Sequence, residues 1–234
     1  MPNALDSAVP VACWSCHVAQ NDLTLFCSHC SKIQPATPGD YFHVFGLERA
    51  FQIDLEALEN TFHRLSRKLH PDRFARATEQ EREWSLADTA LLNDAYRTLK
   101  DPLHRTEYLL KLEGAEIGEQ HAGKNRKGDD KDFSRVPADL LEEVFELNMQ
   151  LEEMRAARKM GEADPQLQAD LESAKKKFDD MRDVVDVDLR RQWRLWDEGD
   201  AAAREAAKTA MVALLDRRRY LSNLVRDVTE TLGA

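Results

Sequence analysis

Residues 54–72 read DLEALENTFHRLSRKLHPD. Leu55, Leu58, Phe62, Leu65 and Leu69 fall at alternating steps of three and four, which places them on one face of a helix. Asp54, just before the first of them, is positioned to cap its free backbone amides. Proline disfavours α conformation in the residue before it, so Pro71 takes His70 out of the helix and His70-Pro71-Asp72 becomes an exposed bend. On the helix's outer side Arg64, Arg67 and Lys68 stand at i, i+3 and i+4 and project together. From Arg64 to Arg76 the bases Arg64, Arg67, Lys68, Arg73 and Arg76 meet one acid, Asp72, a local charge of +4 within a chain of net −10. A patch of that sign steers towards an acidic partner. The tripeptide alone leaves open a plain helix–turn–helix with a solvated basic face.

The flanks complete a helical unit. Thr78-Glu79-Gln80-Glu81 is a capping box, in which threonine and glutamate satisfy each other's backbone donors. It starts a second helix running towards Leu99 with Leu92, Ala95, Tyr96 and Leu99 inside. Tyr41, Phe42, Phe45 and Leu47 form a short aromatic lead-in, and Leu103–Leu112 supplies a last short helix after Asp101-Pro102. Residues 40–115 therefore predict two antiparallel helices braced by two small elements. Periodicity then lapses over 116–136, where Gly118, Gly123, Gly128 and the charged run Lys124–Lys131 read as a solvated linker, with a loop around Gly118–Phe133.

Residues 137–234 predict a three-helix bundle. Leu140, Val144, Leu147, Leu151 and Met154 make the first stripe. Asp164-Pro165 gives an N-cap with proline at the first helical position. Leu167, Leu171, Ala174, Phe178, Met181, Val185, Leu189, Trp193 and Trp196 form the second stripe, the tryptophans reading as core. After Gly199-Asp200 the third runs through Ala207, Met211, Leu214, Leu221, Val225, Val228 and Leu232. Such stripes with short connections pack helices lengthwise. The first helix carries a second apolar row, Leu141, Phe145 and Met149, beside Glu142, Glu146 and Glu153. That width exceeds a single seam and reads either as a partner-binding patch or as a widened core.

Composition agrees with an all-α chain: 234 residues hold only nine glycines and eight prolines. Thirty-three Lys and Arg against 43 Asp and Glu make a poor general binder of nucleic acid or anionic membrane. No apolar stretch approaches the ~18–20 residues that span a bilayer. Met1–Ala12 has no basic start, no apolar run and no arginine, so it reads neither as a secretory signal nor as an organelle presequence.

The four cysteines cluster as Cys13-Trp14-Ser15-Cys16 and Cys27-Ser28-His29-Cys30, ten residues apart. Two such knuckles aim four sulfurs at one point and suit a closed structural zinc site over 11–34. A segment this small draws most of its stability from the metal. Iron in a rubredoxin-like site, a dithiol redox centre and unligated thiols are the alternatives, and His17 and His29 are read as spectators. No internal repeat is visible.

Tyr41-Phe42, Phe45-Gly46-Leu47, the basic helix, His70-Pro71-Asp72 and Leu92-Asn93-Asp94-Ala95-Tyr96 occur in the order of a J domain. With Tyr108–Gly114 and the acidic, leucine-rich bundle, residues 40–234 resemble the HscB family, J-type co-chaperones of iron–sulfur cluster assembly. The four-cysteine domain resembles that of the eukaryotic and some bacterial members. The resemblance implies that His70, Pro71, Asp72, Arg64, Arg67 and Lys68 dock on an ATP-bound heat-shock chaperone of the DnaK/HscA type and promote its ATP hydrolysis. It also implies an IscU-type scaffold bound through Leu141, Phe145, Glu146, Met149, Glu153 and Tyr220. Phe145 and Met149 stand where other members have leucine and glutamate. The mitochondrial matrix is implied as the compartment, the cytoplasm being the alternative.

The chain shows no Ser/His/Asp order, no phosphate-cradling glycine loop and no paired acids in a cleft, and is expected not to be an enzyme. Three other readings compete: a zinc-ribbon nucleic-acid binder, against which segment 11–34 offers one lysine, Lys32; a thiol redox enzyme using Cys13 and Cys16; and a general J protein for unfolded clients, which lacks the CxxCxGxG repeats of that group.

Overall fold

A computed structural model describes residues 11–20, 25–35, 39–117 and 138–233. The expected linker, beyond residue 117, and the Gly118–Phe133 loop lie outside the described residues. The chain divides into two units, Met1–Leu112 and Glu113–Ala234.

The first unit begins with strands β1 (Val11–Ala12) and β2 (Ala19–Gln20), paired antiparallel with Ala12 opposite Ala19. Fourteen residues on, Phe26 bridges Ile33 in the same sense. The two knuckles are therefore structural repeats, which the sequence hides because only their cysteines coincide. Helices follow at α1 (Tyr41–Phe45), α2 (Leu55–Leu69), α3 (Glu79–Lys100) and α4 (Pro102–Leu112). The aromatic lead-in is itself a helix: the Asp40 carboxylate accepts from the His43 amide, and Gly46 ends it at φ 66°, a left-handed conformation that glycine adopts without strain.

Asp54 caps α2 by accepting from the Ala57 amide, as its position before Leu55 predicts. Thr78 and Glu81 form the full capping box of α3. Leu58, Leu65 and Leu69 are buried against Leu92, Ala95 and Leu99, each leucine contributing roughly 1.5–3 kcal/mol. Three expected inner positions differ. Leu55, in the first turn of α2, is 48% exposed. Phe62 and Tyr96 are half-buried and stack on each other at 4.1 Å along the edge of the hairpin. Arg105 is buried instead, its guanidinium donating to the carbonyls of Phe51 (2.8 Å) and Leu99.

In the second unit a 3-10 turn, Ala138–Leu140, leads into α5 (Leu141–Met160); α6 (Pro165–Glu198) and α7 (Ala201–Leu232) follow. The Asp164 carboxylate accepts from the amides of Gln166 and Leu167 and caps α6. Arg204 donates to the Trp196 carbonyl and Arg218 pairs with Asp186, fixing α6 and α7 antiparallel. Arg217 grips Asp139, and Arg158 reaches the Leu232 carbonyl, so α5 runs parallel to α7. Trp193 and Trp196 are buried as expected. On α7 the stripe shifts: Leu215 and Thr231 are buried, while Leu214 and Leu232 are only half-buried. On α6, Ala174 and Met181 lie half-buried at the margin. No described helix is long and apolar enough to cross a membrane.

Candidate functional site

The sulfurs of Cys13, Cys16, Cys27 and Cys30 all lie within 4.8 Å of one another. Cys13 and Cys30 are separated by 3.7 Å, and so are Cys16 and Cys27. A metal–sulfur distance of about 2.3 Å gives a tetrahedron with edges of about 3.8 Å, so the four sulfurs fit one ion. Each knuckle reaches this geometry the same way. The amide of its first cysteine bonds a carbonyl five residues on (Cys13 to Val18, 2.9 Å; Cys27 to Lys32, 2.8 Å). A residue in left-handed conformation closes it, His17 at φ 59° or Ser31 at φ 58°. Backbone amides aim at the sulfurs: Ser15 at Cys13, and His29 and Cys30 at Cys27, all at 3.4 Å. Burial pushes the Cys13 thiol up, but the amides of Cys16 and Ser15 outweigh it and bring it down to about 6. The Cys30 and His29 amides lower Cys27 likewise. Both favour the thiolate that a metal requires. His17 and His29 are exposed and stand outside the sulfur cluster. Gln34, which sequence reasoning missed, is buried and donates its side-chain amide to the Cys13 sulfur at 3.4 Å; its distance from either CxxC leaves no sequence signal.

The tripeptide follows the C-terminal end of α2. His70 leaves the helix at φ −54°, ψ 130°, and Pro71–Phe74 form a 3-10 turn. The Asp72 amide donates to His70 Nδ1 at 3.3 Å, and the Asp72 carboxylate lies 3.6 Å from the same nitrogen. The side chains of His70 and Asp72 are 60% and 89% exposed. Buried Ser85 of α3 donates to the Leu69 carbonyl at 2.7 Å and pins the helix end from which the bend projects. Arg64, Arg67 and Lys68 are exposed on α2, and the Lys68 ammonium lies 5.6 Å from the Phe26 ring centroid.

In the second unit Leu141, Phe145 and Met149 are 41%, 57% and 58% exposed, whereas Val144, Leu147, Leu151 and Met154 are buried. The second apolar row therefore does not widen the core. Glu142, Glu146 and Glu153 are exposed beside it. Arg217, one turn before Tyr220 on α7, forks onto Asp139, two residues before Leu141. Tyr220 itself is half-buried. Burial, with the Asp227 charge, raises the Tyr220 hydroxyl, which keeps it a neutral donor.

No family model matches the chain. It is 32% identical over 225 residues to the iron–sulfur cluster co-chaperone protein HscB of Mus musculus, covering 94% of this chain and 82% of that protein. The crystal structure of the human co-chaperone protein HscB is similar with a TM-score of 0.58 and 27% identity, over 94% of this chain and 98% of the other. The chaperone HscB from Vibrio cholerae is similar with a TM-score of 0.50 and 28% identity, over 82% and 96%.

Proposed function

This chain belongs to the HscB family of iron–sulfur cluster co-chaperones, and from that membership we propose that it is a two-sided adaptor between an IscU-type scaffold and a DnaK/HscA-type chaperone. His70, Pro71 and Asp72 dock on the ATP-bound chaperone, with Asp72 against a partner arginine and Arg64, Arg67 and Lys68 as electrostatic contacts. Docking promotes ATP hydrolysis at the partner's own nucleotide site. Leu141, Phe145, Glu146, Met149, Glu153 and Tyr220 receive the scaffold, so that the cluster carrier and the ATPase meet on one chain and the cluster is released. Zinc is the metal held by Cys13, Cys16, Cys27 and Cys30; when bound it cross-links the knuckles and takes no part in chemistry. The mitochondrial matrix is the compartment that accompanies this reading.

One observation carries the proposal: the side chains of His70 and Asp72 are presented outward on a bend whose base is pinned by the Ser85–Leu69 hydrogen bond. A group held only for folding gains nothing from such exposure. Single-turnover ATP hydrolysis by a DnaK/HscA-type chaperone tests it. The chain is expected to accelerate the turnover, further when the scaffold is added, and Asp72→Asn is expected to abolish the acceleration with the helical circular dichroism unchanged. Equal stimulation by Asp72→Asn and the natural chain would refute the assignment.

A further inference from the structure

The knuckles touch the hairpin at both margins of the bend. Lys68, two residues before His70, lies over the Phe26 ring at 5.6 Å. Beyond the bend, Lys32 Nζ pairs with Glu81 Oε1 at 2.8 Å, and Trp14 meets Trp84 with ring centroids 5.6 Å apart. Glu81 is buried, and its other oxygen accepts from the Thr78 amide (3.1 Å) and hydroxyl (3.0 Å). One carboxylate thus joins a knuckle to the capping box that starts α3. The knuckle side of these contacts depends on the metal-compatible fold: Phe26 precedes Cys27, the Lys32 carbonyl accepts from the Cys27 amide, and the Trp14 indole donates to the Ile33 carbonyl at 2.6 Å. Everything between Lys68 and Glu81, the exposed tripeptide included, is a span held at both ends by a module that needs its metal to fold.

We propose that Trp14, Phe26 and Lys32 are positioning residues for the His70-Pro71-Asp72 bend, acting through Trp84, Lys68 and Glu81, so that metal occupancy of the knuckles sets how firmly the bend is held. This rests on the chaperone-docking reading for its purpose but not for its test. None of the three residues belongs to the proposed docking set; each contacts a helix end that flanks the bend.

Hydrogen–deuterium exchange of the isolated full chain is the primary measurement. Stripping zinc with a chelator is expected to speed exchange of the amides in 72–78 severalfold while those of α5–α7 hold their rates. The double variant Phe26→Ala, Lys32→Met, loaded with zinc to one equivalent, is expected to show the same acceleration, and the conservative pair Phe26→Tyr, Lys32→Arg to restore slow exchange. Trp84→Leu removes the third contact from the hairpin side and leaves the knuckles untouched, so it reports even where the double variant binds zinc poorly. In the chaperone assay the double variant is expected to need a higher concentration for half-maximal stimulation with an unchanged maximal rate. Exchange in 72–78 that ignores chelation overturns the proposal. So does acceleration by chelation that neither the zinc-loaded double variant nor Trp84→Leu reproduces, since the metal would then act elsewhere. A chain that never stimulates a chaperone, yet shows the exchange pattern, defeats the docking reading and leaves the brace standing.

Discussion

Helix α3 buries Glu81, Ser85, Asp88, Leu92, Ala95 and Leu99 at steps of four and three. Three of the six are polar, and two have tasks already named: Glu81 takes Lys32 and the capping box, and Ser85 holds the end of α2. Asp88 is fully buried, and neither carboxylate oxygen has a hydrogen-bond partner among the described residues. Burial pushes its carboxyl up to about 7. The unfolded chain ionises near the ordinary aspartate value, about 4. Between those values the folded form holds the extra proton, so the stability contributed is intact below about pH 4, falls as pH rises, and is lost above about 7. Urea denaturation at pH 5 and pH 8 should show the natural chain losing roughly 2–3 kcal/mol more than Asp88→Asn over that interval. Parallel losses in the two proteins would mean that the carboxyl is ionised and paired. This residue was legible only by extension: the Leu92, Ala95, Leu99 stripe continued backwards lands on 88, 85 and 81, but their polarity hides them from a hydrophobic pattern. Gln34 escaped because it stands outside both CxxC pairs, whereas the four cysteines announced themselves because thiol pairs at CxxC spacing have few other uses.

Helix α5 carries two apolar rows with similar spacing and opposite surroundings. Leu147 is 2% exposed and Phe145 57%, although they are two residues apart. Truncation should therefore divide the rows by cost. Leu147→Ala removes buried methylenes and leaves a cavity, an expected loss of about 2–5 kcal/mol in urea denaturation. Phe145→Ala together with Leu141→Ala should stay within about 0.5 kcal/mol, as exposed substitutions do. A double variant as unstable as Leu147→Ala would return the second row to the core. The sequence could place both rows on one helix but could not choose between them, because a period of 3.6 admits a broad face as readily as two narrow ones. Element ends were more legible. Asp54, Thr78 and Asp164 all cap the helices they precede, since a cap depends on a few adjacent residues and not on the far side of the fold. The slip from Leu214 to Leu215 on α7 is the converse case: over a helix of 32 residues the facing stripe drifts, and only the partners on α6 decide where it settles.

At the scale of the whole chain, the helical hairpin and the bundle were readable because each is closed by contacts between neighbours in sequence. The seating of the knuckles on the hairpin was not, because it depends on single contacts between residues 42, 49 and 70 positions apart: Phe26 with Lys68, Lys32 with Glu81, and Trp14 with Trp84. The two proposed docking surfaces fall in different units, the tripeptide within Met1–Leu112 and the α5 row within Glu113–Ala234. Mutations in separate units with no shared partner should act independently. Asp72→Asn should therefore abolish ATPase stimulation while scaffold affinity, measured by calorimetry, stays at the natural value. Leu141→Ala with Phe145→Ala should weaken scaffold binding by at least about tenfold, the ~1.4 kcal/mol that loss of a modest apolar contact supplies. That pair should leave the scaffold-free ATPase rate untouched and remove only the increment that the scaffold adds. Combining all three substitutions should give the sum of the two losses and nothing more. If the α5 pair lowers scaffold-free stimulation, or Asp72→Asn lowers scaffold affinity, the surfaces are one, and an adaptor with two independent sides is the wrong description.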